Sequence, residues 1–285
     1  MCANVKTCRD NPGLAETPAG RGLLVVSFGT SHRQTCDETI GAIEAALAKA
    51  IPDRALYRAW TSGRIIRRLR ERDGVCIDTM EEALERMASD GIADVLAVPT
   101  HMIAGAEYDK VLTALTEKRD RFRQLAVSRP LLDSPSDLQA LSGILVREHL
   151  PAGALVLMGH GSAERREANE VYVQLEEAFR ERGCENAFVG TVEGEPCLAD
   201  VLGKLDCRSR EQGNPRPDRP VILAPLMIVA GDHALKDMTG AEPASWQNRL
   251  TAAGWTVHPV LRGLGAYRGV QDMFIEHARN AGALG

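Results

Sequence analysis

The stretch Leu23-Leu24-Val25-Val26-Ser27-Phe28-Gly29-Thr30-Ser31 decides the architecture. Four apolar residues without polar alternation read as a strand buried on both faces, the kind a parallel sheet contains. A glycine-containing loop follows. The spacing then predicts a helix from Thr35 to Ala50, with Ile40, Ile43 and Leu47 on one face. Working outward, Ala55 to Trp60 reads as a second strand and Arg64 to Arg72 as a basic helix. Thr79 and Glu82 form a T-x-x-E capping box that opens a further helix, and Val95 to Val98 is the next buried strand. Strands alternating with helices make an α/β unit with a parallel sheet.

The second half of the chain repeats this plan. Leu155 to Met158 is a buried strand running into Gly159-His160-Gly161-Ser162. A polar helix follows from Glu167 to Arg182, then strands at Ala187–Val192 and Val221–Ala224. A shift of 132 residues pairs Phe28 with His160, Gly29 with Gly161 and Thr61 with Glu193; a shift of 126 pairs Pro99 with Pro225, Gly105 with Gly231 and Glu107 with His233. Three matches in one order, with nearly one shift, indicate duplication. The expected fold is α/β with two similar domains, each a small parallel sheet flanked by helices, and an active-site cleft between them. The expected boundaries are a flexible lead over 1–21, an N-terminal domain over 22–140, a C-terminal domain carrying the site over 141–265, and a C-terminal helix over 266–285 packing on the first domain. The charged, Gly- and Pro-rich stretch Arg208–Arg219 reads as a surface loop.

Composition narrows the function. With 34 basic and 39 acidic residues in 285, the net charge is −5, which does not suit a nucleic-acid binder. Three Trp, four Tyr and five Phe are too few for base-stacking platforms. Seven cysteines without a CxxC pair read as reduced thiols in a cytoplasmic protein. The first residues lack the apolar core of a secretory signal, and no apolar run reaches the roughly 20 residues that span a bilayer. No GxSxG elbow, P-loop or GxGxxG follows either leading strand.

Ligands of open parallel sheets bind beyond the carboxyl ends of the strands. Three such ends in the second half carry chemistry: His160 between two glycines, Glu193 in Thr191-Val192-Glu193-Gly194, and His233 in Gly231-Asp232-His233. Either Asp232 or Asp237 is placed to orient the His233 ring, as carboxylates do behind metal-binding histidines. Two neutral imidazoles and a carboxylate suit a borderline divalent metal such as cobalt, nickel or iron, and the same groups accept protons near neutrality. A structural zinc site would close four ligands and favour thiolates. In the first half, Ser27, Phe28, Gly29, Thr30 and Ser31 form a loop whose backbone N–H groups suit an anionic group. Arg64 and Arg67 sit on a basic helix that reads as a solvated face, with contact to substrate carboxylates as the minority reading. His101 reads as packing or support rather than a ligand; His32, His149, His258 and His277 default to the surface.

LLVVSFGTS, RAWTSGRIIRRLRERDG, THMIAGAEYDK, LMGHGS, GTVEG, PLMIVAGDHALKDM, SWQNRL and LRGLG occur in this order between Leu23 and Ala278. Together they resemble the CbiK-type anaerobic cobalt chelatases, the sirohydrochlorin cobaltochelatases of the class II chelatase family. The resemblance implies two α/β domains related by duplication, with the tetrapyrrole between them. It implies ATP-independent insertion of Co²⁺ into sirohydrochlorin in anaerobic cobalamin biosynthesis. The family's metal ligands and catalytic residues carry over to His160, Glu193 and His233, and a family acidic position to Glu107, a secondary candidate for proton transfer or metal delivery; His101 is a secondary candidate in a supporting place. Sirohydrochlorin, with eight carboxylates, is the expected partner, its rim held by backbone donors of Ser27–Ser31 and of Gly161 and Ser162. A homo-oligomer is expected. Some family members are exported and some bind haem between subunits; nothing in this sequence supports haem, and the absent signal favours the cytoplasmic biosynthetic kind. Two other readings stand beside this one: Fe²⁺ insertion for sirohaem, and a tetrapyrrole or metal carrier without catalysis.

Overall fold

The computed structural model describes residues 20–149, 153–211 and 220–283. The reading of a flexible lead falls almost wholly on residues 1–19, outside the described residues. Of the expected surface loop, Arg208–Glu211 belongs to a helix and the remainder lies outside the described residues.

In chain order the first strands and helices are β1 (Arg21–Ser27), α1 (Arg33–Cys36), α2 (Ala42–Ala50), β2 (Ala55–Trp60), α3 (Gly63–Asp73), α4 (Met80–Ser89), β3 (Asp94–Pro99), α5 (Ala106–Glu117) and β4 (Gln124–Val127). There follow α6 (Pro135–His149), β5 (Ala154–Gly161), α7 (Glu170–Glu181), β6 (Ala187–Glu193), α8 (Leu198–Glu211), β7 (Pro220–Leu226), α9 (Trp246–Ala252), β8 (Thr256–Pro259) and α10 (Arg268–Ala283). The expected helix at Thr35–Ala50 is α1 and α2 joined by a π turn over Asp37–Gly41. The polar helix expected from Glu167 begins instead with a 3₁₀ turn at Arg166–Asn169.

Two four-stranded, wholly parallel sheets form, in the orders β2-β1-β3-β4 and β6-β5-β7-β8. The orders are the same once the strands are renumbered. Pairing register bears out the two shifts for the central strands: Leu23 lies beside Leu96, and Leu155 beside Ile222. On the outer side the repeat slips by one. Leu23 lies beside Leu56, whereas Leu155 lies beside Ala187 rather than Phe188. Glu193, beside Gly161, therefore corresponds in register to Ser62 and not to Thr61.

The chain divides into two compact units, which among the described residues are 20–133 with 271–283, and Ser134–Val270. In the first unit Leu24, Val26, Tyr57, Val95 and Ala97 pack with Leu84 and Met87 of α4 and Val111 and Leu115 of α5. In the second, Val156, Met158, Phe188, Val221 and Leu223 pack with Val201 and Leu205 of α8 and Trp246 and Leu250 of α9. Each such Val, Leu, Phe or Met side chain, fully buried, contributes roughly 1.5–3 kcal/mol. The Thr79–Glu82 capping box forms as expected, with Glu82 N–H donating to Thr79 Oγ1 at 3.2 Å and Thr79 N–H to Glu82 Oε2 at 2.8 Å.

The duplication extends to a buried acid on α2 in the first unit and α7 in the second, because Glu44 and Glu176 are also related by the shift of 132 and are 4% and 1% exposed. Their partners differ. Arg58 Nε donates to Glu44 Oε1 at 2.7 Å, and its Nη2 pairs with Oε2. Lys204 Nζ reaches both Glu176 oxygens at 2.9 and 3.0 Å, Arg180 pairs with the same carboxylate, and Val189 N–H donates to Oε2 at 3.0 Å.

Candidate functional site

The second unit gathers the expected chemistry at the carboxyl ends of three adjacent strands. His160 and Gly161 are the last two residues of the central strand β5, Glu193 ends β6, and His233 follows the loop after β7. The strand thus carries His160 to its rim, where the sequence alone suggested a loop. The rings of His160 and His233 meet edge to face, with centroids 4.6 Å apart and planes at 84°. His160 is exposed, and its Nδ1 lies 2.9 Å from the Gly161 carbonyl oxygen. Nδ1 of His233 lies 2.7 Å from Asp237 Oδ2. Asp232 instead pairs with Lys236, at 3.4 Å.

Glu193 is exposed, with its backbone beside Gly161. Among the described residues no three His, Cys, Asp or Glu side chains gather as a metal-holding group. Of the three expected ligands, His160 and His233 are in ring contact.

Gly161 explains how the His160 backbone is shaped. Its φ is +76°, and a Cβ there would sit 2.1 Å from the Glu193 carbonyl oxygen. Its counterpart Gly29 also has positive φ, +97°, with a Cβ position 2.5 Å from the Trp60 ring. Only glycine takes such dihedrals and approaches without strain. Two residues that sequence reasoning passed over hold the loop. Tyr172 OH accepts from Gly161 N–H at 3.3 Å; Asn169 Oδ1 accepts from Ser162 N–H at 2.9 Å, and its Nδ2 donates to Ser162 O at 3.1 Å. Burial raises the Tyr172 phenol pKa, a shift opposed by that backbone bond. Both lie in the segment read only as a polar helix, and their sole signal is their spacing from Ser162.

In the first unit Phe28, the counterpart of His160, is 49% exposed, whereas Ser27, Thr30 and Ser31 are buried. Ser27 Oγ and Thr30 Oγ1 have internal work. The first lies 2.8 Å from Thr100 Oγ1 and the second accepts from His32 N–H at 3.3 Å. Glu107 accepts from Thr61 Oγ1 at 2.9 Å and pairs with Lys110. Burial raises its carboxyl, but the bonds from Lys110 and Thr61 outweigh that and hold it below the usual range. His101 stands edge-on to Tyr108, with both ring nitrogens buried and unpartnered, and burial pushes its pKa down to about 4. Arg64 and Arg67 are exposed on α3. The surface default fails for two other histidines. His277 is 2% exposed on α10, and His149 Nε2 lies 2.8 Å from Tyr267 OH, because both helices turn those faces inward.

No helix among the described residues is long and apolar enough to cross a membrane. Comparison with known proteins agrees with the resemblance read from the motifs. The family model described as cobalt chelatase (CbiK) matches residues 21–282. A sirohydrochlorin cobaltochelatase of Salmonella typhimurium is 40% identical over 265 residues, 92% of this chain and 96% of that protein. The sirohydrochlorin cobaltochelatase CbiKC of Nitratidesulfovibrio vulgaris is 33% identical over 264 residues, covering 90% and 89%. Among solved structures, SirB from Bacillus subtilis with Fe³⁺ superposes with a TM-score of 0.63 at 13% identity, covering 93% of this chain and 96% of that one. That last likeness speaks for the fold alone, two similar α/β domains. A match across nearly the whole chain, carried by residues as well as by fold, makes this protein a member of the cobalt chelatase (CbiK) family.

Proposed function

We propose that this chelatase inserts Co²⁺ into sirohydrochlorin, without ATP, in cobalamin biosynthesis, and that His160, His233 and Glu193 are its working residues. The observation that carries the site is the His160–His233 ring pair at the strand ends of the second unit. Metallation exchanges two pyrrole N–H protons for one divalent ion, so the protein must present the metal and remove two protons. Two imidazoles side by side suit both tasks, since each offers a nitrogen lone pair near neutrality. Glu193 is the exposed acid next along the rim, and a bound dication supplies the charge that draws it in. Its carboxylate offsets that charge. Binding the macrocycle in a distorted shape exposes the pyrrole lone pairs, and binding energy from its carboxylate rim can offset the distortion. Gly161 and Ser162, held by Tyr172 and Asn169, are proposed rim donors in the second unit, and the Ser27–Ser31 backbone is the proposed donor set of the first.

A homo-oligomeric state belongs to the same reading and rests on the family resemblance, and the cytoplasmic location rests on the scattered cysteines read as reduced thiols. The test is metal insertion into sirohydrochlorin, followed by the change in its visible spectrum, with Co²⁺ and Fe²⁺ in parallel. The expected result is turnover well above the spontaneous rate and a preference for Co²⁺. A preference for Fe²⁺ would replace cobalamin by sirohaem synthesis, and uptake without metallation would make the chain a carrier.

A further inference from the structure

We propose that Asp237 is a positioning residue: it holds His233 in the tautomer protonated on Nδ1, so that His233 and His160 both offer Nε2 lone pairs. The inference rests on the metal-site reading above and says what prepares that site before metal arrives.

The argument starts from donors and acceptors. An ionised carboxylate can only accept, so with Nδ1 of His233 lying 2.7 Å from Asp237 Oδ2 the proton of the neutral ring belongs on Nδ1. The lone pair then falls to Nε2. His160 reaches the same state by another route. Its Nδ1 lies 2.9 Å from the Gly161 carbonyl oxygen, which also can only accept. Two unrelated acceptors, one a side chain and one backbone, therefore impose one tautomer on two rings in contact.

The local fold provides the Asp237 contact. His233 precedes a π turn over Ala234–Met238, in which Thr239 N–H donates to Ala234 O at 3.2 Å. The turn brings residue 237 back over residue 233, and Lys236 is engaged with Asp232. Single π turns recur at functional sites because they re-aim side chains. The His233 and Asp237 side chains are 40% and 43% exposed, so the ring is held by the hydrogen bond to Asp237 and by its edge-to-face contact with His160 and not by full burial. A carboxylate behind a metal-binding histidine typically changes metal affinity or activity 10–100-fold.

The experiment reads the tautomer directly in the metal-free protein by two-bond ¹H–¹⁵N correlation NMR. It is run at about pH 8.5, where an ordinary imidazole with a pKa of about 6.5 is neutral. Co²⁺ affinity of the protein alone is measured beside it, and His233→Ala assigns the His233 signals. The wild type should show His233 protonated on Nδ1. Asp237→Ala should shift it toward the Nε2-protonated form and weaken Co²⁺ binding about 10–100-fold. Asp237→Asn, whose amide can also donate to Nδ1, should not restore the tautomer, whereas Asp237→Glu, whose carboxylate can only accept, should recover both in part. A residue that merely stabilised the turn would leave the tautomer untouched. Wild-type His233 protonated on Nε2, or Asp237→Ala with unchanged tautomer and affinity, would overturn the proposal. His233→Ala separates the two ideas. Undiminished Co²⁺ binding there sinks the metal-site reading itself; loss there with none in Asp237→Ala sinks only the role of Asp237.

Discussion

His160 and His233 stand ring to ring, 4.6 Å between centroids, although one ends a strand and the other opens a π turn. If the pair holds the incoming metal and takes its displaced protons, each ring is needed. His160→Ala and His233→Ala should each cut Co²⁺ insertion about 100-fold or more, with an unchanged circular dichroism spectrum. Near-wild-type turnover in either variant would remove that histidine from the mechanism.

Gly161→Ala should damage the protein through the backbone. Its φ of +76° and the 2.1 Å approach of a Cβ to Glu193 O mean that the β5 rim must move. The positive φ alone costs about 1 kcal/mol, and the clash adds to it. Urea unfolding should show a loss above about 1 kcal/mol, accompanied by lower activity. A variant as stable as wild type would show that the rim gives way freely.

Removing Arg58 tests the buried acid of the first unit. Arg58→Ala strands Glu44, which is 4% exposed, without its guanidinium. Breaking one side of a buried pair costs about 3–5 kcal/mol, and partial exposure of Arg58 favours the lower end. Chemical denaturation at neutral pH measures it, and a loss below about 1 kcal/mol would mean that water reaches the carboxylate.

His101 should make the fold acid-sensitive. Burial holds its pKa near 4 in the folded protein, against 6.5 when unfolded. Above pH 6.5 both states are neutral and the contribution is complete. As pH falls from 6.5 toward 4, only the unfolded chain takes the proton, so stability drops by up to about 3 kcal/mol. His101→Met, the residue at the matching position 227 of the second unit, should flatten this part of the stability–pH curve. Equal acid sensitivity in the two proteins would show that the ring is hydrated.

The central strands were legible because burial on both faces writes itself as an unbroken apolar run, as in Leu23–Val26 and Leu155–Met158. Two of the four edge strands, β4 and β8, carry no such mark, being four residues long, the first half-buried and the second mostly exposed. Duplication was legible through glycines and prolines that the backbone requires. The one-residue slip beside Gly161 was not, because pairing is set by the sheet and not by counting along the chain. At the site, strand-end placement pointed to His160, Glu193 and His233 as candidates. That the imidazoles touch while the carboxylate stays in solvent depends on side-chain direction, to which spacing is blind. A lone histidine such as His277 likewise gives no hint that α10 buries it.

The division of the chain has a consequence for its birth. The second unit is one continuous stretch, Ser134–Val270, whereas the first is completed only by Gln271 and the residues after it. Phe274, His277 and Ala278 of α10, all within that completing segment, are almost wholly enclosed. Domains tend to fold as units while the ribosome is still working, N-terminal first. Here the half that is synthesised first must wait for α10, and the half synthesised second can be finished before it.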